Sequence, residues 1–425
     1  MLIEFTVKNY KSFEKEQTLS LIPSNKKGDD KLDNNILHID SQYSLLATAV
    51  IYGANAAGKS NLLKALFIMS KIILTSANKQ RGSGINVAPF KLGKVYNLDS
   101  PTQFTIQFIQ DNVRYEYGFS TTRTKIITEW LYAYPKSTKQ KWFERKLNSK
   151  SGNYDFNFSQ HLKGQKKLWM KSTRAESLFL SNAVNLNSEQ LQPAYDWFSK
   201  KLDFSDSDDD DFSSTLKLYE SNEKNAILNY LKTADLQISD FSPKVEKFDK
   251  NKLRDSIPTD IKEEIINNFK DKELLTDIVT KHKNINDELI SFSFLTEESE
   301  GTKIFFQYSG IWIETLKKGS ILFVDELNNS LHPHLVKFLV KMFQNKKTNP
   351  NNAQLIFTTH ETSLLSEDIF RRDQIYLCEK NKDYSSELFS LSDFSNCSSR
   401  DNFEARYLSG RYGATPFIDE SIFEN

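Results

Sequence analysis

Apolar and polar residues alternate in the first third of the chain as they do in β-strands. Residues 2–8 and 17–22 alternate on either side of a short polar stretch, which predicts a hairpin. The same pattern recurs at 104–110, 113–120 and 125–134, with turn residues between the segments. Together these segments predict an antiparallel sheet.

A second pattern, short and almost wholly apolar, predicts buried strands. Residues 45–52 show it, and a glycine-containing loop then leads into helical spacing of apolar residues over 61–76. Similar apolar segments at 320–325, 354–358 and 374–378 are joined by helical stretches, an alternation typical of a parallel sheet. The predicted fold class is therefore α/β, with a mixed sheet that has an antiparallel N-terminal part and a parallel core.

Residues 136–290 lie between these two parts and differ from both, because they are highly charged. We expect them to form a large, mainly helical inserted lobe, which divides the chain into 1–135, 136–290 and 291–425. The apolar helix face that supports this prediction consists of Ile261, Ile265, Ile266, Phe269, Leu274, Leu275 and Ile278.

Composition excludes a collagen, a small disulfide-rich protein and a protein with a polybasic tail. The 425 residues balance 56 Lys and Arg against 56 Asp and Glu. No apolar run approaches the ~18–20 residues that span a membrane, and the first residues lack the features of an export signal. We therefore expect a cytoplasmic protein. Cys378 and Cys397 are the only cysteines, too few for a disulfide framework or a structural zinc site.

Charge is unevenly distributed along the chain. Residues 136–174 contain eleven Lys or Arg and two acidic residues, a composition that can contact phosphate. Residues 203–211 contain six Asp, which we interpret as an exposed linker. Six aromatic residues within the basic block are either stacking sites for single-stranded DNA or part of the core: Trp142, Phe143, Tyr154, Phe156, Phe158 and Trp169.

Residues 53–60 match the pattern G-x-x-x-x-G-K-S between a buried strand and a helix, which is the context of a phosphate-binding loop (Walker A). In such a loop, backbone amides and the helix N-terminus hold the phosphates, Lys59 bridges the β- and γ-oxygens, and Ser60 ligates Mg²⁺. The residues predicted to bind ATP are Gly53, Asn55, Gly58, Lys59, Ser60 and Asn61.

Asp325 and Glu326 end an apolar strand and read as a Walker B motif. Asp325 is expected to hold Mg²⁺ through water, and Glu326 to polarise the attacking water, so that ATP is hydrolysed. Two carboxylates in this place could instead cap the next helix. The presence of the loop at 53–60 favours an ATPase.

These motifs, with residues 330–333 and 358–360, resemble the SMC, RecF and OLD branch of ABC-type ATPases. Within that branch the chain is similar to the bacterial abortive-infection ATPases of the AbiL and RloA type of the AAA family. The landmarks of this narrower resemblance are residues 3–5, 9–13, 129–132, 298–302 and 406–416. The resemblance implies an ABC-type P-loop head formed by 1–135 and 291–425.

The resemblance also implies that ATP holds two such heads together as a homodimer, with higher oligomers left open. Ser299, Gly301 and Thr302 would form the signature that contacts ATP bound by the opposite subunit, although alone they also suit a helix cap. The D-loop at the dimer seam would be Asn329, Ser330 and Leu331, and His360 would be the catalytic residue that senses the γ-phosphate.

Two departures from the family pattern stand out. Asn328 occupies a position where close relatives are expected to have Asp, and no Q-loop glutamine can be placed, since residues 88–91 hold a Pro-Phe-Lys stretch there. Residues 406–416 read either as a structural or coupling element or as a tight turn.

The function implied by the resemblance is a sensor or regulator in abortive-infection defence against phage. The sequence shows no zinc-binding Cys/His set, no H-N-H-like cluster and no extension for a Toprim domain, so the nuclease is expected to be a separate, co-encoded effector of the Toprim or RloB kind. The alternative is a DNA-binding ATPase similar to RecF and SMC proteins, acting in repair or restriction, with residues 136–174 on DNA. A transporter ATPase is disfavoured because the signature is not followed by glutamine.

Overall fold

The computed structural model describes residues 1–24, 29–39, 43–93, 99–206, 212–249, 273–395, 397–398 and 401–416, together with 261–263, 266 and 268. The strands are β1 Leu2–Lys8, β2 Gln17–Ser20, β3 Ile36–His38, β4 Ser44–Leu46, β5 Thr48–Tyr52, β6 Thr102–Gln110, β7 Val113–Thr121, β8 Ile126–Tyr134, β9 Gln140–Leu147, β10 Tyr154–Phe158, β11 Leu202–Asp206, β12 Ile238–Lys247, β13 Glu273–Lys283, β14 Leu289–Ser293, β15 Ile321–Asp325, β16 Gln354–Thr358, β17 Ile375–Lys380 and β18 Ser386–Ser390. The α-helices are α1 Lys59–Thr75, α2 Lys166–Ser172, α3 Phe179–Asn185, α4 Gln192–Lys200, α5 Ser213–Glu220, α6 Lys224–Thr233, α7 Phe294–Glu297, α8 Glu300–Lys318, α9 Pro333–Phe343 and α10 Phe403–Leu408.

The chain divides into two compact units. The larger unit comprises Met1–Asp209, Thr315–Asn329 and Pro333–Asn425, and the smaller unit comprises Asp210–Glu314 and Ser330–His332. The inserted part therefore starts later than the boundary at 136 that the sequence suggested.

The larger unit contains a seven-stranded sheet in the order β10-β9-β8-β7-β6-β1-β2, with every neighbouring pair antiparallel. The first hairpin and the three following strands are confirmed. The sheet continues through β9 and β10, so the start of the segment predicted to be helical is instead strand. Strand β9 forms here because its side chains Trp142 and Phe143 are buried in the core of the larger unit.

A second sheet in the larger unit has the order β11-β15-β16-β5-β17-β18 and is parallel except for β18. Its strands β5 and β16 are buried along their whole length, which explains their uninterrupted apolar sequence. The mixed α/β fold class is confirmed, but the antiparallel and parallel parts form two sheets rather than one. The carboxyl ends of β5, β15 and β16 meet at one edge, where the functional residues lie.

Helix α1 follows β5 and packs with the predicted apolar spacing. Its residues Leu62, Leu66, Met69 and Ile73 are buried in a core shared with the strands of both sheets. This packing fixes the start of the helix relative to the edge of the parallel sheet.

A buried ion pair crosses the antiparallel sheet between neighbouring strands β8 and β9. Glu129 and Arg145 have fully buried side chains with 3.6 Å between Oε2 and Nη1. Glu129 accepts hydrogen bonds from the backbone N–H groups of Phe179 (2.6 Å) and Leu180 (2.9 Å), and from the Tyr117 hydroxyl (3.1 Å). Burial raises the pKa of Glu129, and Arg145 opposes that rise.

Arg145 also ties the sheet to the chain that precedes α3. Its Nη1 donates to the carbonyl oxygen of Ser177 at 2.7 Å, and its Nη2 donates to that of Arg174 at 2.8 Å. The guanidinium lies over the ring of Tyr154, 3.9 Å from the ring centre. The landmark at 129–132 thus contains a carboxylate that organises a structural network.

The smaller unit contains a three-stranded antiparallel sheet, β12-β13-β14. Helices α5, α6 and α7 and most of α8 accompany it, with packed rings of Phe212, Phe241, Phe294 and Phe306 in its core. The prediction of a mainly helical lobe is therefore incomplete. None of the helices within the described residues is long and apolar enough to cross a membrane.

The helix face predicted over 261–278 is wrong in its second half. Leu274, Leu275 and Ile278 lie in strand β13, because alternate residues such as Ile278 and Thr280 face the core of the smaller unit. Ile261 and Ile266 are helical, whereas Ile265 and Phe269 lie outside the described residues.

Candidate functional site

The loop at 53–60 connects β5 to α1 and depends on two glycines with positive φ. Gly53 has a φ of +153°, and a Cβ there would lie 2.2 Å from the carbonyl oxygen of Cys378. Gly58 has a φ of +111°, and a Cβ there would lie 2.4 Å from Ser386 Oγ. The loop therefore packs so closely against its surroundings that no residue with a Cβ fits at Gly53 or Gly58 without a shift of its neighbours. Helix α1 begins at Lys59, so its free N-terminal amides lie at the loop, where they suit an anion.

Lys59 joins the loop to a residue 301 positions away in sequence. Its Nζ donates to the carbonyl oxygens of Gly53 (3.0 Å) and Ala54 (3.2 Å), and lies 3.0 Å from Nε2 of His360. Because an ammonium group can only donate, His360 accepts through Nε2 and is the neutral tautomer protonated at Nδ1. The two residues predicted from separate motifs are thus in contact.

The charge of Lys59 also affects the ionisation of its neighbour. Burial, and then the nearby Lys59 ammonium, lower the pKa of His360, while burial lowers the pKa of Lys59. His360 is therefore expected to stay neutral at neutral pH, where it can accept a proton or a hydrogen bond at Nε2.

This arrangement predicts an unusual titration of His360. NMR of histidine-labelled protein is expected to give His360 a pKa below the ordinary ~6.5, and Lys59→Met is expected to raise it because a neighbouring positive charge is removed. The His360→Gln spectrum identifies the signal. An ordinary pKa in the wild-type protein, or no change in Lys59→Met, would contradict the contact between the two side chains.

Three oxygen-bearing side chains meet at the ends of α1, β15 and β16. Ser60 Oγ donates to Asp325 Oδ1 at 3.0 Å, and Thr358 Oγ1 donates to the same oxygen at 2.6 Å. Hydroxyl and carboxylate oxygens are the ligands Mg²⁺ prefers, with water and substrate phosphate completing the shell. No group of three or more His, Cys, Asp or Glu side chains that could hold a metal ion occurs in the described part of the chain, this site included. Thr358 was not predicted as a site residue.

Glu326 leaves the strand through a sharp turn. Its φ is +53°, and its N–H donates to Thr358 Oγ1 at 2.8 Å. A left-handed backbone is costly for a residue with a side chain and is common at functional sites. Glu326 is exposed, and its carboxylate has no hydrogen-bond or ion-pair partner among the described residues. The carboxylate is therefore available to a water molecule.

Asn328 holds the segment that carries His360. Its Oδ1 accepts from Thr359 Oγ1 at 2.8 Å and from the His360 N–H at 3.1 Å. An amide oxygen accepts these bonds as an aspartate oxygen would. Asn328 therefore provides the same hydrogen-bond acceptor as the Asp expected at this position. The sequence gives no signal for this role, because the partners of Asn328, Thr359 and His360, lie more than 30 positions away.

Ser12 is a further residue beside the loop. Asn61, one of the predicted ATP-binding residues, donates from Nδ2 to Ser12 Oγ at 2.9 Å, and the same Oγ would lie 2.6 Å from a Cβ at Gly58. Asn55 is exposed at the tip of the loop. The landmark at 9–13 thus supplies a residue that contacts the helix start.

A cavity of about 530 Å³ opens beside Asp325, along the exposed side of α1. Lys11 and Lys64 contribute positive charge to its lining, and Phe67 and Phe204 contribute aromatic side chains. Its volume lies in the range of ligand pockets. The edge that carries the candidate site is therefore open to a ligand.

The predicted signature lies in the smaller unit. Ser299 Oγ accepts from the Thr302 N–H at 3.2 Å and shares a hydrogen bond with Thr302 Oγ1 at 2.8 Å, so Ser299 caps the start of α8. A Cβ at Gly301 would lie 2.9 Å from the carbonyl oxygen of Ser330. The signature turn and the D-loop are therefore in close contact. Leu331 is buried in the same unit.

Asn329, the other predicted D-loop residue, lies in the larger unit, four residues after the end of the Walker B strand. Its N–H donates to the carbonyl oxygen of Glu326 at 2.9 Å. The D-loop therefore continues the turn in which Glu326 has its left-handed backbone.

Helix α10 packs beside the segment that follows His360. Thr362 Oγ1 donates to Glu404 Oε1 at 2.9 Å, and the Tyr407 ring lies 5.9 Å from the Tyr52 ring, whose hydroxyl donates to Glu361 O. Residues 406–416 include a tight turn flanked by buried Tyr407 and Tyr412. These contacts support the structural interpretation of that landmark.

Within the basic block, several residues are structural. Trp142, Phe143 and Trp169 are buried, and Arg145 is internal. Arg174 donates to the carbonyl oxygens of Ala77 and Lys79. These side chains are therefore not available to DNA.

A phosphate-binding loop between a buried strand and a helix, with an acidic strand end beside it, defines a P-loop ATPase. Residues 49–366 match a family described as "AAA domain, putative AbiEii toxin, Type IV TA system". This match covers more than half of the chain, which therefore belongs to that AAA family. The prediction of an AAA-family ATPase is confirmed, and the AbiL or RloA subtype remains a prediction.

Solved structures of low identity also match. The SMC head domain from Thermotoga maritima is 10% identical, with 92% of this chain and 98% of that chain covered and a TM-score of 0.39. An SMC head bound to the C-terminal winged-helix domain of ScpA is 13% identical (92% and 97%, TM-score 0.38), and ATP-bound RecF of the RecFOR pathway is 14% identical (85% and 94%, TM-score 0.28). No curated protein matches the chain.

Proposed function

We propose that this ATPase binds ATP with Mg²⁺, dimerises around it, and acts as the sensor or regulator of an abortive-infection system against phage. The observation that carries the proposal is the convergence of Lys59, Ser60, Asp325 and His360 at one edge of the parallel sheet. These residues lie up to 301 positions apart in sequence, and each has the chemistry that ATP hydrolysis needs.

Each residue has a distinct part in hydrolysis. Lys59 and the amides at the start of α1 hold the β- and γ-phosphates. Ser60, directly, and Asp325, through water, would hold Mg²⁺, which when bound would neutralise charge on the phosphate oxygens. Glu326 would accept a hydrogen bond from the attacking water and orient it, and neutral His360, which contacts Lys59, would sense the γ-phosphate.

Dimerisation around ATP is proposed from the signature. Ser299 and Thr302 place hydroxyl groups at the start of α8, whose first amides have no helical partner. Hydroxyl and amide donors suit the γ-phosphate of ATP held by another copy. The D-loop residue Ser330 lies against Gly301 at the same place.

The defence role rests on the family and on the resemblance in sequence. The family description refers to a putative toxin and to a type IV toxin–antitoxin system. The effector controlled by this ATPase is proposed to be a separate nuclease of the Toprim or RloB kind, with the smaller unit as the surface for trigger or effector. Phage plating on cells that carry the gene and its native neighbours tests this role, because Lys59→Ala is expected to abolish protection.

A DNA-binding ATPase in repair or restriction is the second candidate. Exposed lysines on and near α2, such as Lys163, Lys167 and Lys171, favour it. Binding through these residues would weaken steeply with salt.

One assay separates the two candidates. We expect phosphate release per subunit to rise with protein concentration, as a dimeric ATPase requires, and to be indifferent to linear double-stranded DNA. Lys59→Ala provides the background. Salt-sensitive stimulation by DNA that Lys166→Glu with Lys167→Glu removes would favour the second candidate, and activity no higher than that of Lys59→Ala would contradict both.

A further inference from the structure

Glu298, the residue directly before the signature, is bound to the sheet of the smaller unit. Its Oε1 accepts a hydrogen bond from Thr280 Oγ1 at 2.6 Å and lies 2.7 Å from His282 Nε2. The Glu298 side chain is 10% exposed and that of His282 is 25% exposed. Since a carboxylate can only accept, both partners donate to it.

Both donors lie on β13, the central strand of that sheet. Thr280 and His282 are two positions apart, so they project from the same face of the strand. Thr280 is opposite Phe241 of β12 and Phe292 of β14, and His282 is opposite Ile238 and Ile290. Pairing on both sides keeps these donors in fixed positions. A shift of β13 would therefore displace the Glu298 carboxylate, which is hydrogen-bonded to both donors.

The turn after Glu298 also contacts the D-loop, through Gly301 and Ser330. Ser299 caps α8, and Gly301 approaches the carbonyl oxygen of Ser330 so closely that a Cβ would be 2.9 Å from it. The signature turn is thus fixed between β13 and Ser330. Glu298 attaches the turn to β13 through two hydrogen bonds, and bonds to a carboxylate are about twice as strong as neutral ones, whereas at Ser330 the turn makes a close approach.

We propose that Glu298 is a positioning residue through which the sheet of the smaller unit controls the signature turn. A protein or ligand that moves β13 would move Ser299 and thereby favour or prevent closure of two copies around ATP. This inference rests on the ATP-dependent dimer of the proposed function. It assigns the sheet β12-β13-β14 the role of a control element rather than that of a passive insertion.

The test measures dimerisation and nucleotide binding separately. Glu298→Ala is combined with Glu326→Gln, which keeps ATP bound, and the dimer dissociation constant with Mg²⁺ and ATP is measured by analytical ultracentrifugation. We expect it to rise by about tenfold or more, as loss of charge-assisted hydrogen bonds predicts. The affinity of the dilute subunit for a fluorescent ATP analogue is expected to stay unchanged.

Two variants control the interpretation. Glu298→Gln keeps an acceptor oxygen but not the charge, and is expected to restore part of the dimer affinity. Glu288→Ala removes an exposed glutamate of the same unit, which accepts a hydrogen bond from Asn284, and is expected to behave as the parent.

The outcomes separate this inference from the proposed function. If Glu326→Gln alone forms no dimer with ATP, the proposed function fails and the inference fails with it. If that parent dimerises and Glu298→Ala dimerises equally well, only the inference is overturned. A parallel loss of nucleotide affinity in Glu298→Ala would show a general structural role and would also overturn it.

Discussion

Replacement of Glu326 by glutamine is expected to reduce ATP turnover by about 10²–10⁴-fold, the usual contribution of a general base, while ATP binding is retained. Glu326 turns out of the strand next to Asp325, and its carboxylate is exposed without a partner among the described residues. Glutamine fills the same space but cannot take a proton from water. ATP should therefore accumulate in the bound state.

Steady-state phosphate release and ATP binding measured on the same preparation check this expectation. Lys59→Ala is the contrasting variant, because it removes the ammonium that lies in the loop and should abolish binding itself. Glu367→Gln, an exposed glutamate outside the site, is the matched control. Full turnover by Glu326→Gln would exclude Glu326 as the base.

Arg145→Met is expected to lower the free energy of unfolding by about 3–5 kcal/mol, the cost of breaking a buried ion pair by removing one partner. Glu129 would lose its cationic neighbour while fully buried, and the carbonyl oxygens of Ser177 and Arg174 would lose their donors. Urea unfolding measures the change. Lys146→Met, the exposed neighbour on the same strand, should stay within about 0.5 kcal/mol of wild type.

The loss should also depend on pH. Burial already raises the pKa of Glu129, and Arg145 opposes that rise, so the pKa in Arg145→Met should be higher still. A carboxyl group whose pKa is higher in the folded state contributes stability below its unfolded pKa and loses it as pH rises. The difference between Arg145→Met and wild type should therefore be larger at about pH 8 than at about pH 5. A difference that shrinks with rising pH would contradict this account of the pair.

The P-loop and the Walker B strand could be predicted from sequence because their signals are local. Residues 53–60 carry their glycines, lysine and serine within eight positions, and the apolar strands on either side show their burial directly. The roles of Thr358, Asn328 and Ser12 could not be predicted, since each depends on a partner far along the chain. Tertiary contacts of this kind leave no periodic pattern.

The smaller unit shows where periodicity fails. Leu274, Leu275 and Ile278 recur at helical spacing, yet all three pair with residues of β12, which fixes this segment as a strand. Arg145 and Trp142 were likewise counted with a basic, aromatic block, although both are internal. Charge and aromaticity in a sequence do not reveal which side chains face inward.

The close approach of Gly53 to Cys378 has a practical consequence. The Cys378 thiol donates to the carbonyl oxygen of Ala57 in the loop, and burial raises its pKa to about 12. Alkylating reagents need an exposed thiolate, so this cysteine can react only after the loop has lifted from β17. We therefore expect the rate of Cys378 alkylation to report how often the loop opens. A ligand that keeps the loop closed is expected to lower this rate, which can be measured without a turnover assay.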